Sequence, residues 1–81
     1  MKKGRFKLHA EIHARFADKY GYASICSMVL DAFDSLDDAK TAQYDAEYKI
    51  DHPMAVAVLE AIKSSLPAGT DLMITYTMTR W

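Results

Sequence analysis

The sequence predicts an α+β domain, a small antiparallel sheet with one main helix packed on one face. Residues 5–16 alternate apolar and polar without exception, and residues 71–81 return to that alternation at the other end of the chain. Between them Pro53 opens an apolar run with helical spacing that stops at Pro67-Ala68-Gly69-Thr70. Strands with one wet face belong to antiparallel sheets rather than to parallel sheets buried on both sides.

The first strand, 5–16, sets Phe6, Leu8, Ala10, Ile12, Ala14 and Phe16 against Lys7, His9, Glu11, His13 and Arg15. Successive strand side chains point to opposite faces, so one set is core and the other solvated. Ala17-Asp18-Lys19-Tyr20-Gly21 reads as a turn, with Gly21 free to take a positive φ. Residues 22–32 then form the return strand of a hairpin, with Ala23, Ile25, Ser27 and Val29 on one face and Ser24, Cys26, Met28 and Leu30 on the other. A helix competes here, because Ile25, Val29, Ala32 and Phe33 recur at helical spacing, but the turn and the β-branched residues favour the strand.

Residues 34–51 support two conformations. Ser35 followed by Asp38 resembles a capping box, and a helix from Leu36 gathers Ala39, Ala42, Gln43, Ala46 and Ile50 into one stripe. A strand over 42–50 instead segregates Ala42, Tyr44, Ala46, Tyr48 and Ile50 from Gln43, Asp45, Glu47 and Lys49. The expectation is a short helical turn at 36–40 followed by a third strand at 42–50. Asp51-His52-Pro53 marks a boundary, since proline fits a first helical turn and its predecessor avoids the α region. The main helix is expected over 53–66 and the last strand over 71–80, with Leu72, Ile74, Tyr76 and Met78 facing in. In element order alone, β-β-(β)-α-β resembles the front half of the ribonuclease H fold and its reduced form in HicB-type antitoxins. That fold's metal-binding acids would have to fall where this chain has Ala55 and Thr77-Met78-Thr79, so no site residue carries over.

With 81 residues, 51% of them hydrophobic, 3 Gly and 2 Pro, the composition is that of one globular domain, 1–81. A domain this small sits near the lower limit of comfortable stability, and a single cysteine, Cys26, excludes an intrachain disulfide, so a homodimer is expected. No apolar stretch follows the charged start, and the longest apolar run, 54–59, is far short of the ~20 residues a membrane span needs. A cytoplasmic protein that does not enter a membrane is therefore expected.

The net charge is −1 but is unevenly spread. Lys2, Lys3, Arg5, Lys7, Arg15 and Lys19 face only Glu11 and Asp18 through residue 20. Asp31, Asp34, Asp37, Asp38, Asp45, Glu47 and Asp51 face only Lys40 and Lys49 between 31 and 51. Such separation steers encounter with a charged partner, although solvated faces that merely differ in sign produce the same pattern.

Two candidate surfaces follow. Asp34, Asp37, Asp38, Asp45 and Glu47 form an acidic set that can occupy a basic groove on another protein. Lys7, His9, His13 and Arg15 form a basic stripe that can meet phosphates, with Glu11 interrupting it and a domain pI well below the ~9 of dedicated nucleic-acid binders. Trp81 ends the chain on the wet side of the last strand, where it can anchor an interface. Neighbouring pairs among His9, Glu11 and His13 can share a zinc ion, since alternate strand residues lie ~6.5–7 Å apart. The two histidines are twice that apart, however, His52 is the only other histidine, and a solvated polar face explains the set more simply. Cys26 has no histidine placed beside it, and a free cysteine is most often a small buried hydrophobe. The chain contains no phosphate loop, HExxH, GxSxG or dinucleotide fingerprint. The expectation is a non-enzymatic protein without a cofactor or metal, an inhibitor or adaptor of the kind phages and mobile elements encode. Its partner is expected to be a protein, with nucleic acid the alternative and a small metal-binding protein or enzyme a distant third.

Overall fold

The computed structural model describes residues 4–80. Strands β1 (Phe6–Arg15) and β2 (Ala23–Phe33) form a hairpin, helices α1 (Leu36–Tyr48) and α2 (Pro53–Lys63) follow, and strand β3 (Asp71–Arg80) closes the chain. The sheet is antiparallel throughout in the order β2-β1-β3, which makes the most regular sequence in the chain its central strand. This is the predicted α+β architecture, with a small sheet and helices on one side.

Phe6, Leu8, Ala10, Ile12 and Ala14 are all buried, and Leu8 and Ile12 are the largest fully buried side chains. Leu8 and Ala10 join Leu30, Ala46, Ala55 and Tyr76 in one cluster, flanked by Met28, Phe33, Ala42 and Ile74. Small alanines on both helices let the helical backbones settle close to the strands. Gly21 takes a positive φ in the hairpin turn, as expected.

The predicted third strand at 42–50 is not formed; α1 runs through it to Tyr48. Ser35 decides the matter, because its hydroxyl accepts the Asp38 backbone N–H and Asp37 and Asp38 sit in the positive first turn. The helix buries Ala39 and Ala46 and leaves Tyr44 and Tyr48 in solvent, where their rings meet at 5.0 Å between centroids. The strand reading would have buried both tyrosines. With α1 in place the order is ββααβ, so the likeness to the ribonuclease H fold in element order lapses. Helix α2 stops at Lys63, three residues before the predicted end, and Ser64 caps it.

Strand β2 departs from simple alternation twice. Its register against β1 shifts between Leu8 and His9 and again between Ile12 and His13, leaving Leu30 and Ile25 as the extra residues. The shift at Ile25 turns Ser24 to the face of His13 and Ala23 to that of Ala14, away from Ser27 and Val29, so the faces predicted for Ser24 and Ala23 are corrected. The shift at Leu30 brings Phe33 opposite Phe6, where it packs against the core.

Candidate interaction surfaces

The sheet face away from the helices carries β1's polar set at its centre. Lys7, His9, His13 and Arg15 lie along it, as the alternation predicts, but their neighbours on β3 and β2 engage them. His9 Nε2 shares a hydrogen bond with Thr79 Oγ1 at 2.6 Å, and His13 Nε2 shares one with Thr75 Oγ1 at 2.9 Å. Both contacts are diagonal, since His9 stands directly opposite Thr77 and His13 opposite Met73. Glu11 lies 3.6 Å from His13 and accepts a hydrogen bond from the Ser24 hydroxyl at 2.9 Å. Arg15 pairs with Asp71 and lies over the Tyr22 ring, 5.5 Å from its centroid. The hydrogen bond and the charge of Asp71 raise the Arg15 pKa above its ordinary value. The stripe is thus a lattice of partnered groups.

The acidic set is less coherent. At 100° per residue, Asp38 and Asp45 fall on one flank of α1, Asp37 on its outer side and Glu47 on the opposite flank. Asp45 pairs with Lys49 at 3.4 Å, and Asp34 accepts the Gly4 backbone N–H at 2.6 Å. Glu47 accepts the Gln43 amide at 3.4 Å and lines an open cleft with Asp51, Ile74, Thr75 and Tyr76. Trp81 lies outside the described residues, so its predicted role as an anchor is untouched by this geometry.

Tyr76 fastens the helical layer to the sheet. Its hydroxyl donates to Asp51 Oδ1 at 2.9 Å and accepts the His52 backbone N–H at 3.1 Å, while the His52 ring caps α2 by accepting the Met54 N–H. Burial, reinforced by the Asp51 carboxylate, pushes the phenol up to about 12 against the weaker opposing effect of the His52 N–H. Cys26 is half-buried, and among the described residues no three His, Cys, Asp or Glu side chains converge as a metal would require. No helix among the described residues is long and apolar enough to cross a membrane.

The sequence missed the outer side of α2. The helix reads Pro-Met-Ala-Val-Ala-Val-Leu-Glu-Ala-Ile-Lys, with Ala55 buried and Val58, Leu59 and Ile62 half-buried. Its exposed arc carries apolar side chains too, with Met54 45% and Val56 37% exposed on its two flanks and Ala57 and Ala61 nearby, among the charges of Glu60 and Lys63. Ile50, 77% exposed, and Tyr48 precede it. A helix apolar over most of its circumference is normally buried over most of it, and that broad apolar pattern was the available signal.

Comparison with protein-family models, with curated proteins and with solved structures returned no match. The chemistry of these surfaces is therefore the basis of any functional reading.

Proposed function

We propose that this chain is a non-enzymatic protein-binding module, an inhibitor or adaptor, whose partner docks on the outer side of α2. The observation that carries the reading is the exposure of large apolar side chains on and beside α2: Ile50 just before it, and Met54 and Val56 on its two flanks. Glu60 is exposed on α2 itself, so the matching surface is an apolar groove with a basic residue at its rim. Helix-in-groove recognition of this kind needs no cofactor and no reactive side chain. The basic stripe on β1 favours nucleic acid less, because His9, His13 and Arg15 already have partners within the sheet.

Affinity capture from the native host's lysate, with and without nuclease, tests the reading when variants accompany the parent chain. Met54→Lys and Val56→Glu alter exposed side chains and should abolish capture of a stoichiometric, nuclease-resistant protein. Arg15→Glu should leave that capture intact. Retention of the protein by both helix variants, or recovery of nucleic acid that Arg15→Glu eliminates, overturns the proposal.

A further inference from the structure

Strand β3 presents a free sheet edge, met in its middle by the Gln43 side chain, and the geometry points to a second copy of this chain as its occupant. In that assembly β3 pairs antiparallel with its own symmetry mate about a two-fold axis at Thr75, joining two three-stranded sheets into one of six strands. Several observations independent of the α2 surface lead there. Strand β3 pairs with β1 over ten residues, Asp71 to Arg80, in unbroken register, and it contains no proline, lysine or glycine. Natural edges are ordinarily blunted by such residues or by bulges.

The sequence of β3 is also self-complementary. Face-preserving registers are those that pair residues of like parity, because a one-residue slip turns every side chain over. With the axis at Thr75, Leu72 meets Met78 of the other copy and Ile74 meets Tyr76, so these pairs on the helix-covered face are apolar. On the open face Thr75 meets its own copy and Met73 meets Thr77. Moving the axis to Tyr76 would set Leu72 against Arg80.

The helices supply charge complementarity. Gln43 Nε2 reaches the Tyr76 carbonyl at 3.3 Å, which places the middle of α1 above the middle of β3. Lys40 and Glu47 are exposed, lie on the same flank of α1 as Gln43 and are spaced almost evenly about it. A two-fold axis at Thr75 lays the two α1 helices side by side and antiparallel, with Lys40 of each copy facing Glu47 of the other. The contact from Gln43 to the main chain is long and yields at little cost to the backbone bonds of an added strand.

The surface available is of the right size. A compact chain of this mass exposes about 4,900 Å² by the usual scaling. This one exposes 5731 Å². The whole-chain excess of about 800 Å² is comparable with one partner's share of a standard interface. The Cα radius of gyration is 14.2 Å, against about 11.7 Å expected for a compact domain of this length.

Sedimentation or light scattering of the full chain across a concentration series tests the assembly, with circular dichroism to verify the fold of each variant. The parent chain should be dimeric. Thr75→Lys, which sets two ammonium groups against each other at the axis, should shift dissociation to at least about tenfold higher concentration. Lys40→Glu and Glu47→Lys should each weaken the dimer through repulsion, and the double exchange should restore it. That rescue cannot arise from a purely local structural role. A monomeric parent chain overturns the inference, as does a dimer that Thr75→Lys and the single charge variants leave unchanged. A dimer lost only on Met54→Lys would instead place the second copy on α2.

Discussion

Strands β2 and β3 both lie at a sheet edge and both pair with β1, yet they are finished in opposite ways. Strand β2 carries two register shifts, sets Asp31 opposite the buried Leu8, and has Gly4 tied beside its end by the hydrogen bond to Asp34. Strand β3 is regular from end to end and has α1 above its inner face. Bulges twist and interrupt an edge, so β2 is a poor template for further pairing, whereas β3 retains the geometry of an interior strand. The difference teaches that this fold spends irregularity on one side only, and that its two edges should respond differently to mutation.

The largest effect separating them is expected at Gly4. It adopts φ +70°, and a Cβ there would lie 2.8 Å from the Ala32 Cβ on β2. Gly4→Ala therefore adds backbone strain to a clash that neither chain segment can relieve by rotating a side chain. A loss of about 1–3 kcal/mol in urea unfolding is expected, with increased amide exchange at the end of β2 and none along β3. Equal loosening of both edges would show that they are not independent.

How far the two edges were legible in the sequence follows from the same contrast. Strand β1 buries alternate residues without interruption, and β3 alternates buried or half-buried residues with exposed ones, with one break at Thr75, so period two located both. The bulges of β2 were hidden because an extra residue inside a run of small and apolar side chains leaves the composition plausible for either face; Ser24 and Ala23 were misplaced for that reason. Helix α1 was concealed by Tyr44, Tyr48 and Ile50, whose spacing imitates a strand, while the residues it buries are alanines that give a weak apolar stripe. Its cap, Ser35, carried the better signal. Among the candidate site residues, the shared face of Lys7, His9, His13 and Arg15 was legible, but their partners Thr79, Thr75 and Asp71 lie 56 to 70 residues away and depend on the β1–β3 register. The exposure of Met54 and Val56 on α2 was not legible, because hydropathy reports what prefers to be buried, not what is.

Tyr76 sharpens the comparison from the β3 side. Tyr76→Phe removes the hydroxyl that joins Asp51 and the His52 N–H to the sheet, and a loss of about 1 kcal/mol is expected at neutral pH. The pH dependence gives a clearer signature. A phenol raised from about 10 in the unfolded chain to about 12 in the fold favours the neutral native state. Its contribution is complete below pH 10 and disappears as the pH rises through 12. The difference between parent and Tyr76→Phe unfolding midpoints should narrow over that window. A constant difference would mean that the hydroxyl titrates alike in both states and does not pin the helical layer.

The smallest effect is expected where β1 and β3 meet at the hairpin end. Arg15 and Asp71 pair directly across the strands, and the guanidinium also lies over Tyr22. Both partners are exposed, so water screens the attraction and ordering two mobile side chains offsets what remains. Arg15→Gln should leave the unfolding midpoint unresolved from that of the parent. The same should hold at about 0.01 M and about 1 M salt, although the Debye length falls from ~30 to ~3 Å between them. A destabilisation that grows as salt is removed would show that the β3 edge is held by charge at its first rung. The unbroken register would then owe less to the apolar pairs of the inner face than the burial of Ala14, Ile12 and Ala10 implies.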